Sequence, residues 1–272
     1  MRSYFKRTML LAVSLIAIVA LVGCQGGGGS KTDNKNLSKD EILEKSFQGF
    51  EQLKNGKISI TTKHNGVKHE PKEGEAPEYW RERKFKGSFE LRPNRVSGEV
   101  TVTGTTMAHE KIEYKYYGDS MLSYELPQVP EKSKVWTISQ YSDEFYGQPL
   151  GFNYDFIEFL REHKKDVKLS EEKDSYTFTY ETSDLKLVDP NNYLIFGALD
   201  TAFGLYDFYY SGSAKIVFKV SKEDFTPMGI TYTSEYDSEY ASAKMTSKVT
   251  YSDQNTGIVV ETPDGVDKAE VK

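Results

Sequence analysis

Period-two alternation of apolar and polar residues recurs along most of this chain, and it restricts the fold more than any other feature. Ile58 and Ile60 alternate with Lys57, Ser59 and Thr61; Phe85, Phe89 and Leu91 alternate with Lys86, Ser88 and Glu90; Val100 and Val102 alternate with threonines. Tyr176, Phe178 and Tyr180 face away from Thr177 and Thr179, and Ile216, Phe218 and Val220 from Lys215 and Lys219. Further segments of this kind run at 111–126, 134–138, 228–237 and 243–251. Successive side chains of a strand point to opposite faces, so the pattern predicts strands with one dry and one wet face. About nine to eleven strands of this type make one large antiparallel sheet, strongly curved or closed to limit its edges.

Three segments depart from the strand rhythm. Ser38, Lys39, Asp40 and Glu41 form a capping box, with Leu37 and Ile42 as its hydrophobic staple. Leu43, Phe47 and Phe50, spaced by four and three, continue one apolar stripe to a helix end near Asn55 and Gly56. A second helix is predicted from the Asn153 cap to Lys165, with Phe152 stapled to Ile157 and with Phe156, Phe159 and Leu160 on one side. The third segment follows Asp189 and Pro190, an N-cap and first-turn proline, and is apolar nearly all round from Tyr193 to Tyr206. Gly197 and Gly204 each weaken it as a helix by about 1 kcal/mol, so it belongs inside or over something apolar.

Ahead of these elements Arg2, Lys6 and Arg7 precede an uncharged apolar run from Met9 to Val22. That run falls short of the ~20 apolar residues a bilayer core requires and has the layout of a secretory signal. Leu21, Val22, Gly23 and Cys24 resemble the lipobox of bacterial lipoproteins, and Cys24 is the only cysteine. The resemblance implies diacylglyceryl transfer to the Cys24 thiol, cleavage after Gly23, and an extracytoplasmic protein held to the cell membrane by N-terminal acyl chains. Taking those 23 residues from 272 leaves 249, and loss of three cations moves the net charge from −6 to −9. So acidic a domain excludes nucleic acid as a partner and leaves membrane association to the acyl chains. Residues 24–36, with four consecutive glycines, read as a lipidated flexible tether with a reach of about 20 Å. The expected organisation is a signal peptide over 1–23, this tether, and a single domain over 37–272.

The capped helix running into strand Lys57 to Thr61, and the late strands leading to Ile258, Val259, Val260, Glu261, Thr262, Pro263, Asp264, Gly265 and Val266, resemble the LolA, LolB and LprG-like superfamily of lipid and lipoprotein carriers. Small Gram-positive lipoproteins of unassigned function share the layout. The resemblance implies an α+β fold: a strongly curved antiparallel half-barrel of about nine to eleven strands with helices covering its concave face. It also implies an interior that holds an acyl chain or another hydrophobic molecule. Phe156, Phe159, Leu160, Tyr193, Phe196, Leu199, Phe203 and Tyr206 are the residues expected to line that cavity. The 19 tyrosines and 15 phenylalanines suit such a wall and equally suit an ordinary packed core. The polar stretch Gly66 to Arg83 departs from the compact carriers and reads as an inserted loop.

No enzyme chemistry assembles from the motifs present. Gly118, Asp119, Ser120 and Met121 are similar to the nucleophile block of GDSL esterases, but the required Asp-x-x-His is missing: Leu160 stands at the aspartate position before His163. A hairpin turn explains this block better. His64 and His69 flank Asn65 and Gly66, which reads as a turn with solvated histidines; no His-Glu-x-x-His pattern exists, so neither metal nor other cofactor is expected. The acidic run Ser234 to Tyr240 lacks the order of a calcium loop and reads as a hairpin with Tyr236 and Tyr240 on its dry face. The sequence thus leaves two classes: a lipid-anchored module binding a lipid or other hydrophobic molecule, or a non-enzymatic envelope protein with a filled core that docks a protein partner.

Overall fold

The computed structural model describes residues 37–105, 110–119, 122–139, 159–185, 209–239 and 241–271, and Ser38–Lys272 forms one compact unit. Helix α1 (Lys39–Glu51) begins at the capping box read from the sequence: the Glu41 backbone N–H donates to Ser38 Oγ at 3.3 Å, and the Ser38 N–H donates to Glu41 Oε2 at 2.8 Å. The Ser38 N–H, and the Ser38 hydroxyl donating to the same oxygen, hold the Glu41 carboxyl below its usual range. Ile42, Leu43, Phe47 and Phe50 carry the buried stripe.

The chain then forms β1 (Asn55–Lys68), β2 (Glu78–Leu91), β3 (Asn94–Gly104), β4 (Lys111–Gly118), β5 (Ser123–Val129) and β6 (Thr137–Ser139). The second half supplies β7 (Lys168–Glu171), β8 (Ser175–Thr182), β9 (Tyr209–Ser221), β10 (Pro227–Ser238), β11 (Ala241–Ser252) and β12 (Glu270–Val271). All twelve lie in one sheet in the order β12-β6-β5-β4-β3-β2-β1-β11-β10-β9-β8-β7. The first and second halves meet where β1 pairs with β11, from Lys57 opposite Ser252 to Lys68 opposite Ala241.

This architecture corrects the expected fold class. The sheet is mixed, because β12 pairs parallel to β6, and its order is open, with β12 and β7 at the two ends. A layer of helices over a concave face is not what the chain builds: among the described residues the α-helical segments are α1 and the single turn at 159–162. The parallel pair arises because residues 257–269 leave β11 and cross the outer face instead of turning back in a hairpin. Val260 and Val266 bury against Tyr117, Tyr124 and Trp136 there, and the Glu270 N–H donates to the Trp136 carbonyl at 2.9 Å. Val266–Lys268 forms a 3₁₀ turn within this crossing segment. The signal peptide, the tether, Cys24 and most of the two later helices predicted from sequence lie outside the described residues.

Register assigns the faces. Ile58 and Ile60 of β1, Phe85 and Phe89 of β2, Val249 and Tyr251 of β11, Ile230 of β10 and Phe218 of β9 occupy matching inward positions, and all are buried. α1 covers this half of the inner face, with the Phe50 ring edge-on to Phe218 at 6.3 Å and to Tyr251 at 6.4 Å. The outer face of the same strands carries solvated ion pairs, such as Lys63 with Glu82 and Lys244 with Glu235. Pairs this exposed contribute at most about 1 kcal/mol each, so the inner face holds the fold.

Gly49 marks the closest approach of α1 to the chain beyond β9, since a Cβ there would collide with the Phe225 carbonyl. Alanine is the better helix former by about 1 kcal/mol, but overpacking against backbone costs about 1–3 kcal/mol and no side chain can move aside. Gly49→Ala is therefore expected to destabilise the domain by about 1–2 kcal/mol in urea unfolding; an unchanged or raised midpoint would show that α1 shifts freely on the sheet.

Candidate functional site

Apolar residues do not continue along the whole inner face. On β1 the inward sequence runs Ile58, Ile60, Thr62, His64; on β11 it runs Tyr251, Val249, Ser247, Met245; on β2 it runs Phe89, Gly87, Phe85, Arg83, Arg81. The change falls at one level of the sheet, where Thr62 is flanked by Ser247 and Arg83 and the next inward residue, His64, by Met245 and Arg81. Strand pairing therefore gathers a polar block on a face whose alternation calls for apolar residues.

Most of the block is out of solvent. Thr62, Ser234 and Ser247 are buried, and His64 is completely buried. Thr62 Oγ1 and Ser247 Oγ share a hydrogen bond of 3.0 Å, and His64 Nε2 shares one of 2.8 Å with the Tyr236 hydroxyl from β10. The Tyr236 ring stacks on the imidazole at 6.1 Å, and Tyr79 meets it edge-on at 5.3 Å. Gly66 is required beneath that ring, because a Cβ there would run into the Tyr79 side chain. Arg83 Nη2 donates to the Tyr114 hydroxyl at 2.9 Å. A net hydrogen bond is worth about 1 kcal/mol, whereas burying polar groups costs at least as much, so an apolar block of this shape would stabilise the sheet better. A local rule broken without a gain in stability marks a functional region.

Burial first, and the Arg81 guanidinium second, push the His64 imidazole down to about 4. The histidine is thus neutral at physiological pH and acts as a hydrogen-bonding group. Among the described residues no cluster of three His, Cys, Asp or Glu side chains could hold a metal ion.

A cleft of about 1100 Å³ lies at the far end of β1, β2, β9, β10 and β11. Tyr79 and Tyr236, the two rings that meet His64, line it together with Trp80, Val67, Glu78 and Ser242, which stand at outward register positions. Trp80 and Val67 are 44% and 48% exposed, which is high for large apolar side chains on a paired strand. The cleft therefore offers aromatic and aliphatic surface beside polar side chains.

Of the residues expected to line a cavity, Phe159 and Leu160 are buried. Phe159 packs edge-on against Tyr180 at 5.1 Å, both residues are buried, and neither borders the cleft. Phe156, Tyr193, Phe196, Leu199, Phe203 and Tyr206 lie outside the described residues, as does Cys24. The reading of His64 as a solvated loop histidine is overturned: Asn65 and Gly66 are inside β1, which pairs on both sides as far as Val67. Gly66 to Arg83 is accordingly no inserted loop but the end of β1, the connection 69–77 and the start of β2. Asn-Gly is a strong hairpin signal and misled the reading; the uninterrupted alternation Ile58, Ile60, Thr62, His64 was the signal that places His64 inside. Tyr236 faces inward as expected, and Tyr240 lies outside the described residues.

No protein-family model matches the chain, and no curated protein matches it. Two solved structures show a distant likeness. One is a β-barrel-like protein of the domain of unknown function DUF1849 from Brucella abortus, at 7% identity over 72% of this chain and 98% of that chain, with a TM-score of 0.27. The other is a DUF1329 family protein from Desulfovibrio piger, at 8% identity over 81% of this chain and 94% of that chain, with a TM-score of 0.25. Neither likeness bears on function.

A lowered histidine pKa makes stability depend on pH with a definite sign. Above pH 6.5 both folded and unfolded states hold His64 neutral; between 6.5 and about 4 only the unfolded state takes up the proton, so stability falls as pH falls. The loss amounts to about 3 kcal/mol across that window. His64→Gln is expected to remove this component, read as a flatter difference between urea unfolding at pH 7 and pH 4.5. Wild-type and variant curves of equal slope would show that His64 is not held neutral.

Proposed function

We propose that this protein is an extracytoplasmic lipoprotein, tethered through acylated Cys24, whose domain binds an amphiphilic molecule in the cleft at the far end of β1, β2, β9, β10 and β11. The observation that carries the reading is that cleft of about 1100 Å³, lined by the rings of Tyr79, Trp80 and Tyr236 and by polar residues such as Glu78, Asp237 and Ser242. A ligand suited to that surface has an apolar portion for the rings and a polar portion for the polar residues beside them. Lipids and related hydrophobic molecules with polar heads belong to this class, and the cleft volume is of the size that holds such molecules. Binding, not turnover, is the proposed role, the buried His64 being held neutral as a hydrogen-bonding group.

The second reading, a docking protein with a filled core, is favoured by one observation. The α1 half of the inner face is solid, with Phe47, Phe50, Phe85, Phe89 and Phe218 each no more than 3% exposed. The two readings separate by native mass spectrometry of the full-length protein purified from its own host membranes. A retained small molecule that is lost when Tyr79 and Trp80 are replaced by alanine is the expected result. A bare mass in the wild type, with a co-purifying protein, would favour docking. Cys24→Ser is expected to abolish incorporation of labelled palmitate, and persistence of the label would refute the anchor.

A further inference from the structure

Outward register positions at the far end of the sheet form one row across five strands. Trp80 of β2 stands opposite Asn65 of β1, Asn65 opposite Lys244 of β11, Lys244 opposite Glu235 of β10, and Glu235 opposite Ser213 of β9. All five line the cleft of about 1100 Å³. A second cleft of about 480 Å³ shares Ser213 and Glu235 with it and continues over Thr233 and Lys215 to Glu181 of β8. The two clefts make one groove that crosses the strands from β2 to β8. Five strand spacings, about 24 Å, separate its ends.

Most of the charge in this groove is neutralised from within. Lys244 pairs with Glu235, Lys215 pairs with Glu181, and Asp237 accepts from the Ser242 hydroxyl at 2.6 Å. Among the described residues Asn65, Glu78, Ser213 and Thr233 make no side-chain hydrogen bond or ion pair, so an amide, a carboxylate and two hydroxyls are left to meet a ligand. A hydrocarbon lying along the groove would leave these groups unpaired, and a polyanion would meet the unpaired Glu78 carboxylate. Trp80 adds an exposed indole at one end. The polarised C–H bonds on one face of a sugar ring rest on the negative face of an indole, while the hydroxyls at its rim exchange bonds with amides, carboxylates and hydroxyls.

We propose that this groove binds a saccharide chain, with one sugar ring stacked on Trp80 and the following rings crossing Asn65 and Glu235 toward Ser213 and Glu181. This inference rests on the binding reading above and gives the polar portion of the ligand its chemical class. The second cleft lies beyond the reach of one or two sugar rings held at Trp80, so affinity rises with chain length until the groove is filled.

The test is calorimetric titration of the full-length protein in phosphatidylcholine nanodiscs with maltopentaose, cellopentaose and chitopentaose, each beside its disaccharide. Diethylene glycol monohexyl ether serves as an amphiphile that carries no sugar. At least one pentasaccharide is expected to bind about tenfold or more tightly than its disaccharide. Trp80→Ala is expected to weaken that pentasaccharide about tenfold, and Trp80→Tyr, which keeps a ring, by less. Ser213→Leu, where the two clefts join, is expected to bring the pentasaccharide down to the affinity of its disaccharide. If a variant fails to fold by circular dichroism, the chain-length dependence of the wild type decides by itself. Binding of the hexyl ether with no pentasaccharide bound overturns the saccharide assignment and leaves the binding reading standing. Equal affinity for pentasaccharide and disaccharide, or pentasaccharide binding untouched by Trp80→Ala, likewise overturns it. Absence of binding by every probe overturns both this inference and the reading on which it rests.

Discussion

The pairing of β1 with β2 on one side and β11 on the other is the constraint on which the rest of the molecule depends. Its twelve-residue ladder with β11 joins the two halves of the chain across a sequence separation approaching 200 residues. Side chains in a strand repeat every two residues, so a one-residue slip would send Ile58, Ile60 and His64 to solvent and bring Lys57 and Lys63 inside. The apolar half of the face makes that slip prohibitively costly. The same register therefore places Thr62 and His64 inside, although neither would choose that position on its own account.

Burial on the two faces divides the work. The inner face near α1 is a conventional core of aromatic and branched residues, closed by the helix and by Phe225. On the outer face a smaller core forms where residues 257–269 lie across β4, β5 and β6, clamped by Val260, Val266 and the Trp136 Nε1 bond to the Asp264 carbonyl at 3.1 Å. That second core anchors the end of the sheet away from β7 without occupying the inner face. Residues 257–269 thus pack on the opposite face of the sheet from the polar block.

Much of the fold was legible because alternation is a direct physical record of face. The strands around Ile58, Phe85, Val100, Phe178, Phe218 and Val249 follow from it, and the Ser38 capping box located α1 to the residue. β7 and β12 were not legible, since four and two residues are too few to show a period. The supposed Asn65-Gly66 turn failed for a different reason: local turn chemistry was overridden by pairing on both sides of β1.

Sequence alone determined which residues form strands, which side of each strand is dry, and where the first helix starts, because these depend on neighbours within a few positions. Only the tertiary structure decided that Thr62, His64, Arg83, Ser247 and Tyr236 share one patch, since they come from four strands whose mutual alignment is set by long-range hydrogen bonding. Within its own segment none of these residues points to the others, and the sheet gathers them by stacking them at one level.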